Sequence, residues 1–188
     1  MAITEHFDLP VLDWIAENLH NPVLDRLMPP ITYLANGGIF WVLLAVVLLA
    51  FSKTRKAGFA MGAALLMGFV VCNMTINPLV ARMRPCDYQR LYFGKEIPLL
   101  VAAPMDFSFP SGHTLASFES ALVLTAYHRK WGVGALVLAG LIAFSRLYLY
   151  VHYPPDVLFS LVLSVAIAFA AVCLVEKADR RIKAKRNQ

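Results

Sequence analysis

The chain has 188 residues, of which 59% are hydrophobic and only 15% are charged, and its mean hydropathy is +0.63. A soluble globular domain is roughly 45–50% apolar and about 25% charged, so this composition argues against a water-soluble enzyme, a disordered chain and a disulfide scaffold. The length allows one domain, and the apolar residues are more than one domain of this size can bury. The sequence therefore predicts a membrane protein.

The net charge of +5 does not by itself indicate a nucleic-acid partner, because the basic residues cluster at the ends of apolar runs. A basic run at the C-terminus is typical of a solvated orientation signal near anionic lipid, and nucleic-acid binding is the weaker interpretation. The three cysteines have no spacing that suits a disulfide framework or a metal site. We expect no metal, no other cofactor and no nucleic-acid partner.

The first 30 residues are acidic and carry apolar side chains, which suggests short helices lying in the membrane interface. Five apolar runs follow, each about long enough to cross roughly 30 Å of hydrocarbon as a helix. They are Ile31–Ser52, Ala57–Ala81, Phe107–Tyr127, Trp131–Val151 and Val157–Val175. The predicted fold is an all-α polytopic membrane bundle of about five transmembrane helices plus N-terminal interfacial helices.

We expect a single membrane-embedded domain over residues 1–188. It comprises an interfacial segment (1–30), a transmembrane core (31–175) and a basic tail (176–188). Basic residues follow the first, third and fifth runs, so alternating crossings put all three clusters on one side. The positive-inside rule makes that side the cytoplasm. Most other polar groups then fall on the outer side.

The first of three polar blocks is Arg82-Met-Arg84-Pro85, at the outer end of the second run. If the helix continues to Arg84, residues seven apart are about 20° from alignment, at 3.6 residues per turn. Asn73 and Asn77 would then form a stripe that leads up to Arg84. A planar guanidinium suits tetrahedral oxyanions because it bonds two oxygens at once. The alternative is an interfacial arginine that anchors the helix end.

The second block, Phe109-Pro110-Ser111-Gly112-His113, opens the third run. Free backbone N–H groups and the positive end of the helix dipole make such a helix start a ready anion site. Gly112 lets the backbone approach a ligand closely, Ser111 adds a hydroxyl, and His113 can donate a proton to a leaving group. The alternative is an N-cap with an incidental histidine.

The third block joins the fourth and fifth runs and consists of Ser145-Arg146, His152 and Asp156. A Pro-Pro pair predicts the start of the fifth helix, which puts Asp156 in its first turn with His152 just before it. The carboxylate can then fix the tautomer of the histidine and raise its nucleophilicity. Arg146 is a costly buried charge without an anionic ligand, unless it forms an ion pair with Glu119.

Taken together, the blocks predict a phosphoryl-transfer site without metal ligands on the outer membrane face. At these residues the chain resembles the type 2 phosphatidic acid phosphatase family of integral membrane lipid phosphatases. Its motifs are Lys-x6-Arg-Pro, Pro-Ser-Gly-His and Ser-Arg-x5-His-x3-Asp. The second reads Pro110–His113 and the third spans Ser145–Asp156, both complete. The first keeps Arg84-Pro85 but has Asn77 in place of the lysine.

The resemblance implies a covalent mechanism. His152 would attack phosphorus and form a phosphohistidine, and Asp156 would orient it. His113 would protonate the leaving group and then act as base for the hydrolytic water. The resemblance also implies which groups would bind the phosphate oxygens: Arg84, Arg146, Ser111, the Gly112 backbone and, at the lysine position, Asn77.

Asn77 removes one positive charge from the implied phosphate site. Three explanations are open: a subfamily that tolerates the change, replacement by Arg90 or Lys95 from the outer loop, or reduced activity. Arg82 would face another side of a continuous helix and could not substitute. We favour the first two explanations.

An outward-facing site suits a lipid phosphate presented on the outer leaflet of a bacterial plasma membrane. The resemblance implies undecaprenyl diphosphate, phosphatidylglycerophosphate or phosphatidate as the substrate, and a contact of Arg90 or Lys95 with a second phosphate would favour a diphosphate.

Three other interpretations compete with that of a lipid phosphatase. A catalytically weakened member could serve as a lipid-binding or transport-related membrane protein, which Asn77 alone favours. A vanadium haloperoxidase would be soluble and far larger. A non-enzymatic bundle does not explain three spaced motifs.

Overall fold

The structure is a computed structural model that describes residues 4–186, and within that range it consists of helices with no strand. The predicted domain therefore extends beyond the description at residues 1–3 and 187–188. The helices are α1 (Leu9–Leu19), α2 (Pro22–Tyr33), α3 (Ile39–Ala50), α4 (Arg55–Gly68), α5 (Asn77–Val80), α6 (Pro85–Phe93), α7 (Gly112–Tyr127), α8 (Arg129–Tyr148) and α9 (Pro154–Arg186). A π-helix, Phe69–Ile76, joins α4 to α5, and another, Thr4–Asp8, precedes α1.

Several of these helices are membrane-spanning in length and composition, which confirms the predicted all-α membrane bundle. Among the described residues, three helical stretches qualify: Arg55–Phe93, Arg129–Tyr148 and Pro154–Lys185. A fourth is the pair α2–α3, which bends by 45° at the break between its helices. The predicted count of five is not reached, because α7 begins at Gly112 rather than Phe107 and has 16 residues, about 24 Å of helical rise.

The first predicted span, Ile31–Ser52, is not one continuous helix. The chain breaks between α2 and α3 at Asn36–Gly38, where Gly37 and Gly38 adopt φ of +59° and +68°. This left-handed conformation is accessible to glycine without a Cβ penalty and stops a right-handed helix. The break leaves α2 and α3 with 12 residues each and brings the exposed Asn36 side chain to His113 at the start of α7.

Helix α7 is the centre of the bundle and packs against α4, α8 and α9. Its buried face is rich in small side chains, which allow close approach of neighbouring helices in a bilayer. The closest approach is to α8, where a Cβ added to Gly132 would lie 2.3 Å from Thr125 atoms. Trp41 of α3 donates a hydrogen bond to Ser117 of α7 over 3.0 Å, which satisfies a buried indole N–H.

The N-terminal segment is part of the folded core. Leu9 and Leu12 of α1 are buried with Tyr88, Tyr150 and Tyr153, which belong to α6 and to the α8–α9 joint. The segment thereby covers one side of the functional region. Its predicted place in the membrane interface remains a prediction.

One end of the bundle is marked by an ion pair between helices. Lys56 at the start of α4 lies 2.7 Å from Asp179 on α9, so the basic cluster after α3 and the basic tail share one end of the molecule. Helix α9 continues through this tail to Arg186, so the predicted fifth span and the basic tail form one helix.

Two glycines of α8 offer a matched test of the packing. Gly132→Ala is expected to lower stability by roughly 1–3 kcal/mol, because its Cβ would meet Thr125 backbone atoms. Gly134→Ala, in the same helix with nothing within 4 Å, is expected to be neutral or to gain up to about 1 kcal/mol of helix propensity. Thermal unfolding of the detergent-purified variants measures both, and equal midpoints for the two would refute the α7–α8 packing.

Candidate active site

The three polar blocks meet at one cavity of about 790 Å³. Six of the eight predicted site residues line it, and they come from five parts of the chain: Asn77, Arg84, Gly112, His113, Arg146 and His152. The other two lie behind the cavity wall. Ser111 accepts a hydrogen bond from Thr114 over 3.0 Å, and Asp156 stands behind His152; neither has any exposed surface.

His152 is held between a cation and a carboxylate. Its Nε2 lies 3.2 Å from Nη1 of Arg84, and its Nδ1 lies 3.6 Å from Oδ2 of Asp156. A guanidinium cannot accept a hydrogen bond, so Nε2 must carry the lone pair and the neutral ring must carry its proton on Nδ1. The ring is 2% exposed. The Nε2 lone pair therefore faces Arg84 at the cavity wall, and the Nδ1–H faces the carboxylate.

Burial lowers the pKa of His152 to about 4; the nearby Asp156 carboxylate opposes the shift, and the Arg84 and Arg146 cations reinforce it. The ordinary value is about 6.5. Because the value is lowered, the imidazole stays neutral at pH 7 and protonates only as the pH falls through about 4. At neutral pH it is available as a nucleophile.

The Asp156 carboxylate is saturated with donors. Its Oδ1 accepts from Nη1 of Arg82 at 2.6 Å. Its Oδ2 accepts from the Ser108 hydroxyl and, at 3.0 Å, from the backbone N–H of Tyr153. Helix α9 begins at Pro154, as the Pro-Pro pair predicts, so Asp156 lies in its first turn. These contacts fix the carboxylate that faces Nδ1 of His152.

Arg84 does not lie on a helix, so the predicted alignment of Asn73, Asn77 and Arg84 by helical periodicity is wrong. Helix α5 ends at Val80, and Ala81 adopts a left-handed φ of +49°. Arg84 follows in extended backbone as the N-cap of α6. Both asparagines still line the cavity, from the π-helix and from α5.

The Arg84 guanidinium ties two loops together. Its Nη1 donates to the carbonyl of Val151 at 2.6 Å, next to His152. Its Nε and Nη2 donate to the backbone and side chain of Asp106, at 2.9 and 2.6 Å. The side chain is 4% exposed. It thus sets the position of the loop that leads into α7 relative to the His152 loop.

Asn77 makes a positioning contact in the place where the family motif has lysine. Its Nδ2 donates to the carbonyls of Phe107 and Phe109, at 3.0 and 3.1 Å. These carbonyls belong to the segment that enters Pro110–His113. Arg90 and Lys95 do not replace the missing charge, because they pair with Asp87 and Asp13 and do not line the cavity.

His113 stands at the N-terminus of α7 and contacts the break in the first predicted span. Its Nε2 lies 2.7 Å from Oδ1 of Asn36, which can only accept, so Nε2 carries a proton. Sequence reasoning missed Asn36, although an Asn-Gly-Gly interruption of an apolar run is a recognisable signal. The first N–H groups of α7 have no intrahelical acceptor, and two of the residues that carry them, Gly112 and His113, line the same cavity.

Arg146 is 3% exposed and donates from Nη1 to the hydroxyl of Thr32 at 2.6 Å. The alternative of an ion pair with Glu119 is wrong, since no contact within 4 Å joins these two described residues. Glu119 is also buried, lines the cavity, and fills the space where Gly68 lacks a side chain. Arg146 therefore lines the cavity with no carboxylate partner in residues 4–186 and is free to meet an anion there.

The cavity has a polar end and an apolar end. Beside the arginines and histidines, its lining includes apolar side chains of α3, α4 and the start of the π-helix: Val42, Val46, Leu49, Leu65, Leu66 and Phe69. Two cations, free helix N–H groups and an unprotonated histidine nitrogen suit an anionic head group, and the apolar groove suits a hydrocarbon chain. Within residues 4–186, no three or more of His, Cys, Asp and Glu are grouped as metal ligands would be.

Comparisons with known proteins place the chain in a family. The family described as the PAP2 superfamily matches residues 55–180, which include all three polar blocks. An undecaprenyl-diphosphatase of Sulfolobus acidocaldarius is 29% identical over 77% of this chain and 70% of its own length. The undecaprenyl-diphosphatase BcrC of Bacillus subtilis is 32% identical over 80% of this chain and 74% of its own length.

A solved structure shares the fold. The PAP2-type phosphatidylglycerolphosphate phosphatase of Bacillus subtilis superposes with a TM-score of 0.72, at 24% identity, over 97% of this chain and 89% of its own.

The protonation state of His152 can be measured directly. In ¹⁵N-histidine spectra, we expect one imidazole to titrate near pH 4, with the proton on Nδ1 in its neutral form, and to be absent from His152→Gln. Arg84→Gln should raise this midpoint, because it removes a cation next to Nε2. A midpoint between pH 6 and 7, or a neutral ring protonated on Nε2, would contradict the described geometry.

Asn77 gives a second test. Asn77→Asp keeps the shape but replaces the donor with an acceptor, so it should release the segment before α7 and lower turnover about ten- to a hundredfold, the range seen for lost outer-shell contacts. Asn77→Lys should bring no large gain, because the amide already fixes this segment. Steady-state turnover of both variants beside wild type measures the effect, and a large gain for Asn77→Lys would show that the wild type is impaired.

Proposed function

The chain belongs to the PAP2 superfamily and is a membrane lipid phosphatase, and from this premise we propose that it works through a phosphohistidine on His152. The observation that carries the proposal is the unprotonated Nε2 of His152, which opens onto the cavity beside Arg84 and is backed by Asp156. A nucleophile activated by a positioned carboxylate is a recurrent arrangement in covalent catalysis.

In the first step, Nε2 of His152 attacks phosphorus and the bond from phosphorus to the leaving oxygen breaks. The developing positive charge on the ring is stabilised by Asp156 behind Nδ1. The imidazolium form of His113 donates its Nδ1 proton to the leaving oxygen, while its Nε2–H stays bonded to Asn36. Arg84, Arg146 and the first N–H groups of α7 stabilise the equatorial oxygens, and preorganised donors of this kind supply a large part of catalysis.

In the second step, a water molecule gives its proton to His113 and attacks phosphorus. The nitrogen–phosphorus bond breaks, inorganic phosphate leaves, and His152 regains its lone pair. His113 ends with the proton that it lost in the first step, so the cycle closes. Asn36 holds the His113 ring in place for both transfers.

A lipid diphosphate on the outer leaflet is the substrate that the observations support best. Two relatives of this chain are named undecaprenyl-diphosphatases. The polar end of the cavity lies at the end of α7 and α9 opposite the basic cluster of Lys56 and the α9 tail, which the positive-inside rule places in the cytoplasm. The site then faces outward from a bacterial plasma membrane, and the apolar groove between α3 and α4 receives the chain of the lipid.

The alternative of a catalytically weakened, lipid-binding member is not favoured. The Asn77 amide donates to the Phe107 carbonyl, and the two histidines and Asp156 are in place.

Phosphate release by the purified protein tests this proposal. Undecaprenyl diphosphate, phosphatidylglycerophosphate and phosphatidate are each supplied in mixed micelles, with a chelator present. We expect turnover that the chelator does not reduce, with the highest kcat/KM on the diphosphate, and a loss of at least about 10³-fold in His152→Ala, as for removal of a catalytic nucleophile. Activity that requires a divalent metal or that survives the His152→Ala change would refute the mechanism. A preference for a monoester lipid would refute only the substrate.

A further inference from the structure

Arg82 links the Asp156 carboxylate to the N-terminal segment. Its Nη1 donates to Oδ1 of Asp156 at 2.6 Å, and its Nη2 donates to Oδ2 of Asp8. Its guanidinium also stacks over the ring of Tyr153, 3.8 Å from the centroid. Asp8 and Asp156 have no exposed surface. Asp8 closes the π-helix that precedes α1, far from Asp156 in sequence.

Stability alone does not explain this arrangement. Removing the two carboxylates from water costs several kcal/mol per ion, and replacing buried ion pairs with apolar residues is often neutral or stabilising. Among the described residues, Oδ1 of Asp8 even lacks a hydrogen-bond partner. The cluster ends on Asp156, which lies beside the candidate nucleophile His152. This position indicates that the cluster serves the function of Asp156.

We propose that Arg82 is a positioning residue that fixes Asp156 behind His152, and that Asp8 shares the charge of Arg82 so that Asp156 keeps its negative character. This inference rests on the proposed function. One arginine between two carboxylates leaves a net charge of minus one on the cluster. With Asp8 absent, Arg82 would neutralise Asp156 alone and weaken its support of the charge that forms on His152.

Arg82 and Asp8 act through Asp156, because neither lines the cavity. Substitutions at these positions should therefore change kcat and leave substrate and phosphate binding nearly unaltered. The N-terminal segment becomes part of the active site in this account, since the docking of α1 onto the α8–α9 joint holds Asp8 against Arg82.

The experiment uses the full chain in four forms besides wild type: Arg82→Gln, Arg82→Lys, Asp8→Asn and the double variant Asp8→Asn/Arg82→Gln. Lys95→Gln is the matched control, because Lys95 also pairs with the N-terminal segment, at Asp13, but is exposed and has no link to Asp156. The measurements are kcat, KM, the inhibition constant of inorganic phosphate, and the thermal unfolding midpoint.

For Arg82→Gln we expect a fall in kcat of about ten- to a hundredfold, the range of lost outer-shell contacts, with KM and the phosphate inhibition constant changed by less than about threefold. Arg82→Lys should recover part of the kcat, and Asp8→Asn should lower it severalfold. Lys95→Gln should match wild type. Arg84→Gln, by contrast, should raise the phosphate inhibition constant, because Arg84 lines the cavity.

The double variant separates positioning from stability. Arg82→Gln leaves Asp8 as an uncompensated buried charge and should lower the unfolding midpoint; adding Asp8→Asn removes that charge and should restore the midpoint while kcat stays low. Recovery of kcat together with the midpoint would overturn the proposal, as would a rise in KM or in the phosphate inhibition constant that accounts for the whole loss.

A measurement that does not depend on turnover distinguishes a failure of this inference from a failure of the proposed function. The ¹⁵N titration of His152 should move to higher pH in Arg82→Gln, because a cation near Asp156 is lost. The other charged groups that face His152, namely Arg84, Arg146, His113 and the Asp106 that binds Arg84, are the same across the series. An unchanged titration would contradict the link, whereas a shifted titration in a protein that releases no phosphate would contradict only the proposed function.

Discussion

A carboxylate with no exposed surface has to be matched by donors, and Asp156 draws its donors from three separate parts of the chain. Arg82 comes from the segment after α5, Ser108 from the loop before α7, and the Tyr153 N–H from the α8–α9 joint. Removing any of these donors would leave a buried carboxylate less fully hydrogen-bonded, which is costly. The saturation of Asp156 thus couples the packing of the bundle to the orientation of His152.

The other charged groups of the site are also largely buried, so their contacts are equally constrained. Arg84 is buried and bridges two loops, so the cation proposed to meet a phosphate is also the one that locates His152 relative to α7. Its presence beside Nε2 fixes the tautomer of the ring without any contact to a ligand. Arg146 has one hydroxyl partner and an otherwise open approach to the cavity. The site is preorganised for an anion before one binds.

The three motifs predicted most of the residues that line the cavity from sequence alone. The spacing between Ser145 and Asp156 requires a helix end, a joint and a helix start, and the proline pair puts that start where the structure has it. The positions of Arg84 and Arg82 were beyond sequence reasoning. A left-handed Ala81 has no composition signal, and a helix that stops four residues early redirects both arginines.

The contacts of the N-terminal segment could not be predicted for another reason. An acidic segment with apolar side chains is typical of an interfacial helix, and its partners lie far away in sequence. Asn36 was the exception, since Asn-Gly-Gly within an apolar run marks a break that the continuous-span prediction passed over.

The covalent step on His152 is the central claim, and a rapid-quench measurement tests it most directly. Wild-type protein is mixed with a lipid diphosphate that carries ³²P in its terminal phosphate and is quenched in base, before one turnover is complete. The label is then located by proteolysis. The account predicts a base-stable, acid-labile phosphoramidate on the peptide that contains His152, formed and lost at rates consistent with turnover, and absent from His152→Gln. Full turnover with no label on the protein, or with the label on another residue, would contradict it.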